Sequence, residues 1–261
     1  MSDSYPSCCI DFYQLPITQF LLGDSFHPGG LKLTKQLAQQ LLIGRDSRVL
    51  DIASGRGTSS LYLAEQFGCQ VVALDLSENN LEYSRVLAKE RNLSSQITTT
   101  TASAENLPFE SNSFDAIICE CAVCTFENPQ QAVNEMFRVL KPNAKVGISD
   151  VVLNKELPCD LNELLSKIFC ISGALSNEQY IEMFKKNGFS KIKLLPVNWA
   201  ITEVMDKIKK QTKLLNTISG KVPLSIPDWL MDSNVTLNSI EDFVKQEGLG
   251  YMMMTAKKSI S

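Results

Sequence analysis

Two groups of residues in this chain have types and spacings suited to chemistry. The first is a turn of acid and glycine, Asp51, Ala53, Gly55 and Gly57, followed by a second acid at Asp75. Glycine permits positive φ and lets backbone N–H groups come close to a ligand, while a nearby carboxylate favours a cation and repels a pyrophosphate. The second group is a run of thiols, Cys119, Cys121 and Cys124, with Cys170 further on. Thiolates are soft donors, so two or three of them can hold a soft acceptor. The single histidine, His27 in DSFHPGG, is a candidate base if its loop folds over the site.

The elements that must position these groups follow from the apolar pattern. Val49, Leu50 and Ile52 read as a strand buried on both faces, and Leu61, Leu63, Ala64 and Phe67 as the apolar side of a helix. A second strand, Gln70 to Leu74, runs into Asp75, which completes half of a doubly wound α/β unit. A dinucleotide fingerprint needs a glycine six positions along from Gly55, counted inclusively, and that position is Ser60. An adenosyl ligand without pyrophosphate fits better. S-adenosylmethionine, with an ammonium and a sulfonium but no phosphate, is such a ligand.

With Asp51-Ile-Ala-Ser-Gly55-Arg-Gly57, the chain resembles the class I methyltransferases, whose first motif is an acid followed by alternating glycines. Ala53 stands at the first glycine and is expected to cost little if its φ is negative. Ala104 to Phe109 and Ser113 to Asp115 match the loop and strand start that these enzymes set against adenine, and Ser103 replaces a frequent aspartate. The resemblance implies a Rossmann-like α/β fold, a seven-stranded mixed sheet with helices on both faces. It also implies S-adenosylmethionine surrounded by Asp51, Ala53, Gly55, Gly57, Asp75, Leu76, Ser103, Ala104, Glu105 and Cys119. Within that set Asp51 belongs near the methionine end, Asp75 on the ribose, and Ser103 with Ala104 at the adenine.

A narrower similarity, to arsenite methyltransferases, rests on RVLKPNAKVGISDVVLNKELP, on FCISGAL and on the turn Ser54 to Arg56. It implies that Cys170 is a substrate-binding cysteine, joined by Cys121 or Cys124. Thr58 and Ala122 stand where that family has its early and middle cysteines. The other readings are a C- or O-methyltransferase of a small organic molecule, of the quinone-biosynthesis type, with cysteines that only pack, and a non-catalytic cofactor-binding protein.

The 261 residues suffice for one large domain. The expected organisation is an N-terminal arm and first helix over 1–43, a methyltransferase core over 44–199, and a helical insertion with the final strand over 200–261. Net charge is −4 with no basic block, which argues against nucleic acid as partner. No apolar run reaches the length of a membrane span and no leader pattern opens the chain. The expectation is a soluble cytoplasmic protein, monomer or homodimer, whose eight cysteines are reduced and hold no metal.

Overall fold

A computed structural model describes residues 27–158, 171–218 and 233–259. Seven strands form one sheet in the order β3-β2-β1-β4-β5-β7-β6. They are β1 (Arg48–Ile52), β2 (Gln70–Asp75), β3 (Ile97–Thr101), β4 (Phe114–Glu120), β5 (Leu140–Leu153), β6 (Phe189–Pro196) and β7 (Leu249–Lys258). The first five run parallel, and β7 enters antiparallel between β5 and β6.

Helices cover both faces because the strands are apolar on both. Val49, Val71, Ala116 and Ile118 face one core cluster, which also contains α1 (Gly30–Leu41), α2 (Thr58–Phe67), α6 (Trp199–Ile218) and α7 (Ser233–Lys245). Leu50, Ile52, Val72, Ile117 and Cys119 face the other, with α4 (Pro129–Val139) and α5 (Asn177–Lys186). Helix α3 (Glu78–Glu90) packs on β2 and β3. Local signals set the helix starts. Ser77 caps α3 through Asn80, Asn128 caps α4 ahead of Pro129, and Ser176 with Gln179 forms a capping box on α5.

The last strand, β7, runs antiparallel to both β5 and β6. Two expectations change. The segment LKPNAK, which reads as a stop and turn after Val139, lies inside β5, because Leu140 already pairs with Phe114; the register then shifts, with Asn143 at φ 66°, before regular pairing resumes at Lys145. Ala53 has φ 56°, in the left-handed region, so the alanine at the motif's first glycine position is strained. The helix expected over 160–169 and the expected arm over 1–26 lie outside the described residues.

Gly57 is fixed by packing as well as by conformation: its φ is 78°, and a Cβ there would approach the Ser84 Oγ to 2.1 Å. Ala53→Gly is expected to raise unfolding free energy by about 1 kcal/mol through relief of the left-handed alanine. Gly57→Ala is expected to lower it by about 2–4 kcal/mol, combining backbone strain with overpacking. Urea denaturation of both variants checks the two opposite signs.

Candidate active site

The sheet order reverses between β1 and β4: the chain moves from β1 outward through β2 to β3 and then returns to the other side of β1. A crevice therefore opens beyond the carboxyl ends of β1 and β4, the usual ligand position in such sheets. The acid-glycine turn, Asp75 and the thiol run all end there.

The turn after β1 is tied down by its neighbours. Ser54 N donates to the Leu74 carbonyl at 2.9 Å, and Gly55 N donates to the Asp75 carboxylate at 2.8 Å. The other oxygen of Asp75 takes the Ser77 N–H at 2.8 Å, so one carboxylate joins the glycine turn to the start of α3. Gly55 has φ 53°, and a Cβ there would meet nothing within 4 Å, so the crevice is open above it. The Ser54 hydroxyl is buried without a partner.

Asp51 is buried beneath this turn and accepts the Ser60 hydroxyl at 2.5 Å. Burial first, then the negative charges of Glu120 and Asp75, push its carboxyl up to about 8, against the opposing pull of Ser60. A buried acid in this condition is relieved by an arriving cation.

Glu120, at the end of β4, was missed by sequence reasoning. It is buried, and its carboxylate accepts the Ser59 hydroxyl at 2.6 Å and the Thr34 hydroxyl at 3.0 and 3.2 Å. His27 Nε2 lies 3.7 Å from the same carboxylate and 3.3 Å from Ser59 Oγ. The sequence signal was a lone acid interrupting an apolar strand; its partners come from positions far away in the chain.

The loop over 102–109 is held from α4. Glu135 accepts the Leu107 N–H at 2.8 Å, and Arg138 donates to the Leu107 and Phe109 carbonyls while pairing with Glu135 at 2.7 Å. This pins Ser103, Ala104 and Glu105, whose Ser103 hydroxyl donates to Glu105. Ala104 is buried, whereas Leu76 is 64% exposed just beyond Asp75.

The thiols divide. Cys119 is fully buried in the core, and burial pushes its thiol well above the usual range. Cys121 follows β4 with φ 56°, bonded to Tyr251 and raised by burial and the nearby Asp150. Cys124 is buried in a short 3-10 turn, and its N–H donates to Asp150 at 3.0 Å. Burial raises Asp150 to about 6, against hydrogen bonds from Cys124, Val151 and Tyr180. Cys170 lies outside the described residues. Gly173 packs on this turn: a Cβ there would come within 2.2 Å of the Cys124 carbonyl.

The residues fit S-adenosylmethionine by their chemistry. An open glycine cradle, an unpartnered serine hydroxyl and buried carboxylates suit a ligand that is cationic and bears no phosphate. Fold and site together define a methyltransferase that uses S-adenosylmethionine.

Residues 50–148 match the family described as methyltransferase domain. An uncharacterized protein of Haemophilus influenzae is 33% identical over 168 residues, covering 63% of this chain and 67% of that protein. Methyltransferase GfsG of Streptomyces halstedii is 29% identical over 179 residues, covering 67% of this chain and 64% of its own. The solved structure of Haemonchus contortus phosphoethanolamine N-methyltransferase 2 in complex with S-adenosyl-L-methionine shares the fold, with TM-score 0.79 at 20% identity, covering 100% of this chain and 62% of that one. The chain thus spans about two thirds of these relatives' length, and it belongs to the class I S-adenosylmethionine-dependent methyltransferases. Among the described residues no helix is long and apolar enough to cross a membrane.

The raised Asp51 carboxyl has a definite sign. The folded state holds a proton that the unfolded chain releases near 3.8, so this group's contribution to stability is full below that pH and is lost as pH rises toward about 8. Asp51→Asn is expected to melt higher than wild type at pH 8 and to lose at least about tenfold in affinity for S-adenosylmethionine. Thermal melts from pH 5 to 8.5 and titration calorimetry check the two effects separately.

Proposed function

We propose that this enzyme methylates a small neutral or cationic acceptor in the crevice beyond β4 and β5. The observation that carries the reading is the set of buried polar groups at those strand ends: Glu120 on β4, and Asp150 on β5 with Tyr180 and Tyr251 near it. Buried acids disfavour a phosphate or carboxylate there and favour an amine, hydroxyl or thiol.

When bound, S-adenosylmethionine supplies an electrophilic methyl group. The roles proposed for the chain's residues are to hold it and exclude water. Gly55 and Gly57 let the backbone approach, Asp51 faces the cationic methionine end, and Asp75 is offered to the ribose. Leu76 covers an adenine face, while Ser103, Ala104 and Glu105 form the opposite loop. His27, beside Glu120, is the candidate to accept the proton that an acceptor loses. Orientation of the two reactants is the main contribution expected from such a site.

A second reading is a soft acceptor such as arsenite, held by Cys170 with Cys121 or Cys124. What favours it is the contact between Gly173 and the turn carrying Cys124. What opposes it is the raised thiol of Cys121, since binding to sulfur must displace the proton. The quinone-type C- or O-methyl transfer belongs with the first reading, and the cysteines then pack.

Labelled S-adenosylmethionine offered with amines, quinols, thiols, selenite and arsenite separates these readings. Label transfer to an amine or hydroxyl acceptor that survives thiol blocking is expected. Transfer confined to arsenite or selenite, and abolished by both thiol blocking and Cys170→Ser, overturns the first reading in favour of the second. Tight cofactor binding with no turnover on any acceptor overturns both.

A further inference from the structure

Glu120 is a buried carboxylate held by hydroxyl donors from two different helices. Thr34 from α1 reaches both of its oxygens, and Ser59 from the first turn of α2 donates at 2.6 Å. The adjacent Ser60 holds Asp51 at 2.5 Å, so consecutive residues of one helix turn grip the two acids. The register sets Ile52 of β1 beside Cys119 of β4, which puts Asp51 and Glu120 on neighbouring strand ends, and the charge of Glu120 acts on Asp51. Hydroxyl donors fix where a carboxylate points but leave its net charge in place. Among the described residues, His27 is the cationic-capable side chain that lies against it, at 3.7 Å.

A carboxyl group buried and aimed in this way is completed by a cation, and the two states of the cofactor differ in that respect. Methyl transfer breaks the S–CH3 bond, leaves the electron pair on sulfur, and turns a sulfonium into a neutral thioether. The acceptor atom gains the methyl and gives up a proton if it carried one. The spent cofactor, S-adenosylhomocysteine, is thus one positive charge poorer than the donor and otherwise nearly the same shape.

We infer that Glu120 is a specificity-determining residue that makes the crevice distinguish the cationic methyl donor from its neutral product. Asp51 and Glu120 together bias binding toward the donor, and the bias falls when the charge is discharged, which favours release of spent cofactor. The inference rests on S-adenosylmethionine being the cofactor, and it does not depend on the acceptor.

Calorimetry on the full chain with three probes tests it: S-adenosylmethionine, S-adenosylhomocysteine, and sinefungin, which carries an ammonium in place of the sulfonium. Wild type is expected to bind both cationic probes about tenfold or more tighter than S-adenosylhomocysteine, as for a charge-assisted contact. Equal affinity for all three overturns the inference without any variant, while leaving the cofactor assignment intact. No binding of any probe by folded protein overturns the cofactor assignment itself. In Glu120→Gln the preference is expected to fall by about tenfold, with S-adenosylhomocysteine affinity changed by less than about threefold. In Glu120→Asp, which keeps the charge, most of the preference is expected to return. Equal loss in the two variants, or an undiminished preference in Glu120→Gln, overturns the assignment of Glu120.

Discussion

Carboxyl groups held out of water are the constraint around which this crevice is organised. Asp51, Glu120 and Asp150 are all buried at the carboxyl ends of three adjacent parallel strands, β1, β4 and β5. Each is held by donors from a different part of the chain: Ser60 for Asp51, Thr34 and Ser59 for Glu120, and the Cys124 turn for Asp150. These donors lower the cost of burial only in part, since burial still raises the carboxyls of Asp51 and Asp150 and favours their protonated form until a cation arrives. A fold that kept these groups for stability alone would do better with apolar side chains. Their presence makes sense as preparation for a cationic ligand, which is what an adenosyl sulfonium provides.

The same region concentrates backbone strain. Ala53 at the end of β1 and Cys121 at the end of β4 are both in the left-handed region, on the two strands that flank the reversal of sheet order. Strained non-glycine residues persist where surrounding structure over-determines them, and such places cluster at ligand sites. Ser54 N on Leu74 holds the first, and Cys121 N on the Ser149 carbonyl at 2.6 Å holds the second. The crevice is therefore a preset surface with little freedom to reshape around different ligands.

What could be read from the sequence was what is local. The β1 run, the glycines and Asp75 at the end of β2 follow from periodicity and spacing, because a parallel sheet writes each buried strand as a short apolar run; the seven-stranded plan came from the resemblance to class I methyltransferases. Glu120 was not legible, because Thr34, Ser59 and His27 are distant in sequence and only the fold brings them together. The φ of Ala53 was misjudged since alanine itself carries no mark of a left-handed conformation. The LKPNAK segment looked like a turn from composition, yet its first residue had a strand partner in Phe114.

The insertion of β7 between β5 and β6 bears on the order in which the molecule is made. Among the described strands β6 pairs only with β7, so it and α5, which packs on it, are synthesised long before the strand that attaches them to the sheet. Until residues 249–258 emerge, β5 presents an open, apolar edge to whatever is nearby in the cell. A nascent chain in that interval is a natural client for chaperones, and premature termination within those last residues leaves an aggregation-prone fragment in which the β1–β5 half of the sheet is already formed.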